Sequence, residues 1–482
     1  MPADYVKDLP EEWQQVYEQR QLIDWVKNTK LTLDWFLSFI NPGSWDARKK
    51  NVVRYFKTQH NMLLEGADNP ALAMEEESAR IAFHEDWMAW YLYIIESIHE
   101  RPVVDEIYQG ARIYPFFAAI GRHIELAKKI KGIDCKLHEV LNGKNNQPDA
   151  TLFEIMVAIT YARNDWSVEF IPEKPTEKTP DLLVRKGGLS FYVECKRQSK
   201  VTDYSEEERK EWRARWMALL PALMYFDNPV FIDVTFKTEV AATGVDIVEK
   251  SFLNIMQQGR LIAERTFENE IIKVNVRPIN LDTVNAHFSK YFVRQNSPQF
   301  VSLLAGGFKS SDNYTHVTSP INLVTVGPED DYHALNVFCT GLNTAYCARW
   351  VCIAEESIDK KAKDVKKLLS KAVRQAPEGM PTIVHIAYET LHGPHIEFQR
   401  ADKITASLAD FDCKGKNICA IYCHAIQPSV SEDDWEIAET TSHFGRSGIL
   451  PKLILPHDLL FDEAGTQIRN DTHWNEDLNA GK

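Results

Sequence analysis

The chain has 482 residues, of which 44% are hydrophobic and 26% are charged, and its formal net charge is -14 at pH 7. This length and balance exclude an intrinsically disordered chain and predict about two or three globular domains, each with its own hydrophobic core. The negative charge argues against a protein that binds nucleic acid over its whole surface, but it leaves open a local basic site or a site that holds a divalent metal ion.

The first residues mix charges with proline and lack the apolar stretch of a secretory signal. The longest apolar run, residues 217–226, contains Pro221 and is about half of the ~20 residues that a membrane-spanning helix needs. Eight cysteines without paired spacings are typical of reduced thiols. These features predict a cytoplasmic protein with no membrane partner.

Residues 1–141 are predicted to form an N-terminal helical domain. Apolar and aromatic residues recur at helical spacing in VYEQRQLIDWVKN, LDWFLSFI and DWMAWYLYIIESI. Such aromatic stripes are more typical of a domain core than of a ligand-binding cage. The polar, turn-forming sequence NGKNNQP, residues 142–148, marks the predicted end of this domain.

Residues 142–237 are predicted to form an α/β core in the order helix, three strands, helix, strand (αβββαβ). The first helix is ATLFEIMVAITYAR, and the strands are SVEFI, DLLVR, LSFYVEC and, after a long helix from Ser205, PVFIDVTF. Helical and strand-like segments alternate again in residues 238–482, which are predicted to be a C-terminal α/β region. This region either forms a separate unit or extends the sheet of the preceding core.

The segment TPDLLVRKGGLSFYVECKRQSK places three ionisable residues on a predicted β-hairpin. Asp181 opens the first strand, Gly187 and Gly188 supply a tight turn, and the returning strand carries Glu194 and Lys196. Alternate residues of a strand share a face, so Glu194 and Lys196 point the same way. Two carboxylates can hold Mg²⁺ through their oxygens, and the metal ion activates a bound water for attack on a phosphate. The pattern therefore predicts phosphodiester hydrolysis.

These residues resemble the PD-(D/E)XK nuclease superfamily, the restriction-endonuclease-like enzymes. In that family an upstream helix carries a glutamate, and a Pro-Asp pair and an acid-x-lysine motif follow on two paired strands. The matching residues here are Glu154, Pro180, Asp181, Glu194, Cys195 and Lys196. The resemblance covers residues 145–237 and implies a restriction-endonuclease-like mixed-sheet core.

The resemblance also implies a role for each residue of the motif. Asp181 and Glu194 would bind Mg²⁺, for which Mn²⁺ is an alternative, and the backbone carbonyl of Cys195 would be a further ligand. Glu154 would help to order the metal ion and the attacking water, and Lys196 would assist the attack. Glu154, Asp181, Glu194 and Lys196 are therefore the predicted catalytic residues.

A DNA endonuclease is the function favoured by this resemblance, with a role as the effector of a prokaryotic defence or restriction system. Two alternatives stay open: an RNA-cleaving nuclease of the same fold, and a non-catalytic module for nucleic-acid binding or assembly. The motifs G-x-S-x-G, GxxxxGK[ST] and H-E-x-x-H are absent, so serine-hydrolase, ATPase and zincin functions lack support. The sequence leaves open whether the protein forms a homo-oligomer.

Basic residues after the acid-x-lysine motif are the predicted nucleic-acid contacts. They could form a local positive groove in an otherwise acidic protein, and they are Arg197, Lys200, Arg209, Lys210 and Arg213. The alternative is a solvated helix face on which they pair with the glutamates of the same helix. Those glutamates are Glu206, Glu207, Glu208 and Glu211.

Overall fold

The computed structural model of the protein describes most of the chain. The described residues are 11–67, 86–100, 106–142, 148–172, 179–198, 203–257, 259, 261–295, 297–325, 337–431, 434–446, 448, 450–462, 468 and 471–480. They form a mixed α/β structure with two mixed β-sheets, which confirms the predicted α/β class. Among these residues, no helix is both long enough and apolar enough to cross a lipid bilayer.

Helices dominate the N-terminal part of the described chain, as predicted. Helices α1 to α7 span Glu11–Gln21, Asp24–Leu37, Pro42–Ala67, Trp87–Glu100, Ile107–Arg122, Ile124–Ala127 and Ile133–Asn142. The sequence of α4, WMAWYLYIIESIHE, is apolar or aromatic around most of its circumference, and the helix is buried from Met88 to His99. Its aromatic residues belong to the hydrophobic core that these helices share with the first sheet.

The remaining helices and the strands alternate along the rest of the chain. Helices α8 to α16 span Pro148–Arg163, Asp203–Phe226, Ile247–Met256, Leu281–Phe288, Pro298–Ala305, Glu355–Gln375, Pro394–Ala409, Pro451–Ile454 and His473–Ala480. Strands β1 to β12 span Ser167–Phe170, Leu182–Lys186, Leu189–Arg197, Val230–Phe236, Arg265–Glu268, Ile272–Pro278, Val293–Arg294, Asn313–Thr325, Val337–Cys352, Thr382–Glu389, Ile418–Val430 and Trp435–Gly445.

The first sheet has the strand order β1-β2-β3-β10-β11-β12. Strands β1, β2 and β3 are antiparallel neighbours, and the predicted turn between β2 and β3 has Gly187 and Gly188 at φ values of 54° and 83°. Strand β10 pairs in parallel with both β3 and β11, and β12 closes the sheet in the antiparallel direction. The C-terminal region therefore extends the sheet of the hairpin, which was one of the two predicted arrangements.

The second sheet contains the strand that was expected to complete the first one. Its order is β5-β6-β4-β9-β7, with β8 paired to β9. Strand β4, the predicted last strand of the core, pairs with β6 and β9 and not with β3. That expectation was wrong because an apolar strand can pair with any compatible edge, and the parallel partner of β3 lies far along the chain.

Helix α9 packs against the second sheet as well. Its apolar stripe is buried in the core of that sheet and consists of Trp212, Trp216, Leu219 and Leu223. Helix α13 covers the first sheet in its place, since Val365 and Leu369 pack with Val384 and Ile386 of β10. The observed order is thus α8, β1, β2, β3, α13, β10, and residues 203–352 form the second sheet with its helices between β3 and α13.

Acid is expected to destabilise the helical region through His99 of α4. The ring is buried between the hydroxyl of Thr29 and the side-chain oxygen of Gln21, both 3.1 Å from its nitrogens. Burial, with the charge of Lys30, lowers the pKa of His99 to about 4, below its usual value of 6.5. The neutral ring is therefore favoured by folding. The stability that it contributes is complete above pH 6.5 and is lost as the pH falls through 4.

We expect the free energy of unfolding to fall by up to about 3 kcal/mol between pH 6.5 and pH 4 on account of this one group. Urea unfolding at several pH values measures the fall. His99→Gln should flatten that pH dependence, whereas the control His138→Gln, at an exposed position of α7, should leave it unchanged. Equal pH dependence in both variants would contradict the prediction.

Candidate active site

Asp181 lies immediately before β2 and is fixed to the neighbouring strand β3. Its backbone N–H donates to the carbonyl of Val193 (3.1 Å), and its carboxylate Oδ2 accepts the backbone N–H of Cys195 (2.7 Å). These two bonds hold the carboxylate beside the stretch of β3 that carries Glu194 and Lys196. The hairpin therefore brings the three predicted residues together.

Glu194 is fully buried, with 0% of its side chain exposed. The ammonium Nζ of Lys196 lies 2.5 Å from its Oε1 and 3.1 Å from the carbonyl oxygen of Cys195. Among the described residues, neither carboxylate oxygen of Glu194 has a hydrogen-bond donor other than Lys196. Burial and the charge of Asp181 raise the pKa of Glu194 to about 8, although Lys196 opposes the shift.

Glu154 of α8 is the fourth predicted residue, and it is also buried. The ammonium of Lys136, from α7, lies 2.7 Å from its Oε2. Burial and the charge of Asp181 raise the pKa of Glu154 to about 7, whereas Lys136 and Lys196 oppose the rise. Lys136 was not predicted from the sequence, because nothing in the local pattern of α7 shows that this helix ends up beside Glu154.

The predicted metal ligands fit a hard cation by their chemistry. Carboxylate and carbonyl oxygens are the ligands that Mg²⁺ prefers, and buried carboxylates need positive charge nearby. Asp181, Glu194 and the carbonyl of Cys195 supply such oxygens. No group of three or more His, Cys, Asp or Glu side chains in the described part of the chain is arranged to hold a metal ion, so water or substrate oxygens would have to complete the coordination.

Arg197 is not placed for the phosphate contact predicted from the sequence. Only 4% of its side chain is exposed, and its guanidinium lies 3.1 Å from Glu389 and 3.9 Å from Asp149. It also stacks over the ring of Phe116, 4.6 Å from the ring centroid, and Arg112 contacts the same Glu389. The prediction was wrong because helices from the N-terminal region cover the end of β3, which the local sequence does not reveal.

The other predicted nucleic-acid contacts lie on α9 or outside the described residues. Lys210 and Arg213 are exposed and Arg209 is partly exposed, whereas Lys200 lies outside the described residues. Helix α9, which carries Arg209, Lys210 and Arg213, packs on the second sheet and is not part of the hairpin. Burial and then the charges of Lys361, Arg400 and Arg209 lower the pKa of His392, in the loop after β10, so Arg209 also lies near the first sheet.

Two of the glutamates on α9 have partners away from these basic residues. Glu208 is buried and forms an ion pair of 2.9 Å with Lys361 of α13, and Glu211 pairs with Arg215 at 2.7 Å. In the alternative of a solvated helix face, both glutamates were expected to pair with the basic residues of α9. Glu206 and Glu207 are the remaining glutamates of that alternative.

No family model, no curated protein and no solved structure matches the chain. The functional interpretation therefore depends on the geometry and chemistry of the site itself.

Proposed function

We propose that the chain is a metal-dependent nuclease of the PD-(D/E)XK type that hydrolyses phosphodiester bonds, with DNA as the first candidate substrate. The observation that carries the proposal is the fully buried Glu194 carboxylate, which lies beside Asp181 and has no hydrogen-bond donor other than Lys196 among the described residues. A charged cluster of this kind is costly unless a cation or a substrate compensates it.

The strand topology supports the restriction-endonuclease-like part of the proposal. The order α8, β1, β2, β3, α13, β10, with β10 parallel to β3, matches the αβββαβ order that the resemblance implies. The second sheet is then an insertion between the third strand and the second helix of that core. The proposed metal ligands lie on the strand pair β2 and β3 of the core.

Asp181, Glu194 and the Cys195 carbonyl would hold Mg²⁺, which supplies a polarised phosphate and a more acidic water when it is bound. Lys196 acts as a cation in this scheme. Burial alone would lower its pKa, but the carboxylates of Asp181 and Glu194 raise it above the usual value. The ammonium keeps its proton at neutral pH and stabilises the negative charge that develops on the phosphate oxygens.

Glu154 is assigned to the attacking water. A carboxyl group with a pKa of about 7 suits a residue that orients a water molecule and accepts its proton at neutral pH. Its carboxyl group is close enough to Asp181 for that charge to raise its pKa, which supports a position at the edge of the proposed metal site. Lys196 and Glu154 therefore have different tasks, one toward the phosphate and one toward the nucleophile.

The decisive experiment incubates the purified protein with closed circular DNA, linear DNA and RNA, each with Mg²⁺ or with EDTA. The expected result is that the closed circle is cleaved with Mg²⁺ and is not cleaved with EDTA. This result would establish endonuclease action. Cleavage of RNA alone would select the alternative substrate. Binding of nucleic acid without cleavage under any of these conditions would overturn the nuclease proposal in favour of a non-catalytic module.

A second experiment tests the basic residues of α9 as phosphate contacts. Arg209→Ala with Arg213→Ala should weaken binding to all sequences alike and should flatten the dependence of log K on log salt by about one to two units. Lys27→Ala with Lys30→Ala, on the exposed face of α2, is the matched control for lost charge. An identical salt slope for both double variants would mean that Arg209 and Arg213 lie on a solvated helix face and do not contact phosphates.

A further inference from the structure

Helix α7 reaches the proposed active site because the chain before it runs along the edge of the first sheet. The backbone N–H of Lys131 donates to the carbonyl of Val168 (3.3 Å), and the N–H of Phe170 donates to the carbonyl of Lys131 (2.9 Å). Gly132 follows with a φ of +83°, and a Cβ at this position would lie 3.1 Å from the carbonyl oxygen of Phe170. Glycine therefore permits the close approach that starts α7 beside β1.

The start of α7 is also close to Asp181. The residue after Phe170, Ile171, donates its backbone N–H to the carbonyl of Asp181 (3.0 Å). One turn into α7, Lys136 extends its ammonium toward Glu154 and ends 2.7 Å from Oε2. Only 14% of the Lys136 side chain is exposed, so the ammonium is directed into the site and not into solvent.

The site thus contains three carboxylates and two ammonium groups. Lys196 forms an ion pair with Glu194, and Lys136 forms an ion pair with Glu154. The Lys136 ammonium, 2.7 Å from Oε2, is the main compensation of the Glu154 charge among the described residues. Removal of one partner from a buried pair leaves the other uncompensated.

We infer that Lys136 is a positioning residue, which holds the Glu154 carboxylate beside Asp181 so that Glu154 can orient the attacking water. The inference rests on the proposed nuclease function. Lys136 acts through Glu154, and its effect on the reaction should therefore disappear when Glu154 is neutral. A lysine that contacted the substrate phosphate directly would keep its effect whatever residue 154 is.

A double-mutant cycle separates these two roles. Lys136→Met should lower kcat about ten- to a hundredfold with KM unchanged, which is the usual effect of losing the partner of a site carboxylate. Lys136→Met with Glu154→Gln should be no slower than Glu154→Gln alone. Lys136→Arg, which keeps the charge, should recover most of the lost rate. The control variant Lys129→Ala changes an exposed lysine in the loop before α7, and it should cleave at the rate of the unmodified protein.

A second measurement, thermal unfolding of the metal-free protein, tests the pairing without any activity. Lys136→Met should lower the melting temperature by about 5 °C, because it leaves a buried carboxylate unpaired, and the added Glu154→Gln should restore most of that loss. Additive losses of melting temperature would mean that the two side chains are not coupled, and they would overturn the inference.

The kinetic outcomes are equally distinct. Losses of kcat that multiply in the double variant, or a lowered melting temperature with an unchanged kcat, would overturn the inference and leave the nuclease proposal standing. An unmodified protein that cuts neither DNA nor RNA with Mg²⁺, while the melting temperatures still show coupling, would overturn the proposed function and the inference with it.

Discussion

Asp181→Asn and Glu194→Gln should each abolish Mg²⁺-dependent cleavage while the protein stays folded. Both changes keep the shape of the side chain and remove a charge that would hold the metal ion, so the loss should be on the order of 10³-fold or more. A nicking assay on closed circular DNA measures the rate, and circular dichroism checks the fold. Glu125→Gln, at an exposed position of α6, is the matched control. Cleavage by both variants at the rate of the control would rule out the metal-site assignment.

The Glu194→Gln variant should also be more stable than the unmodified protein when no metal ion is present. The folded pKa of Glu194 is about 8, above the usual value of 4.5, so folding favours the protonated form. The unmodified protein therefore loses stability as the pH rises from 4.5 through 8, and the glutamine variant does not. We expect an advantage of a few kcal/mol for Glu194→Gln at pH 8 and little difference at pH 4.

Lys196→Ala should remove cleavage but keep most of the binding to nucleic acid. The rate should fall about 10²- to 10³-fold, because in the proposed mechanism the ammonium would stabilise charge that appears only in the transition state. Binding should change little, since one phosphate contact is a small share of the total affinity. Single-turnover cleavage and a binding titration at one salt concentration measure the two effects.

Lys186→Ala is the control for this prediction, because Lys186 lies on the same hairpin but is 45% exposed and bonds to the carbonyl of Asn164. We expect the Lys186→Ala variant to cleave at the rate of the unmodified protein. Equal rates for the Lys186 and Lys196 variants would show that Lys196 has no role in the reaction.

Local signals in the sequence were sufficient for the hairpin and for α8. Alternation along β3 and the glycine pair at its turn define which side chains share a face, so the sequence alone brings Asp181, Glu194 and Lys196 together. Glu154 could be placed as well, because α8 is a continuous apolar helix that directly precedes the first strand. These features depend on contacts between residues that are close in the chain.

Contacts between distant parts of the chain could not be predicted. Strand β4 has the same apolar character as β10, and only pairing in three dimensions shows which of them lies beside β3. The burial of Arg197 likewise depends on Glu389 and on helices from the N-terminal region. Lys136 was missed for the same reason, since it approaches Glu154 through a helix whose sequence carries no catalytic motif.

The separation of β3 from β10 has a consequence for how the protein is made. A ribosome releases residues 203–352 before it releases β10, so the second sheet can assemble while β3 still has an open edge. Until β10 arrives, the strand that carries Glu194 and Lys196 is a free template for pairing with other chains. The residues proposed for hydrolysis therefore gain their final surroundings late in synthesis, and a nascent chain carries an incomplete centre for most of the time that it is attached to the ribosome.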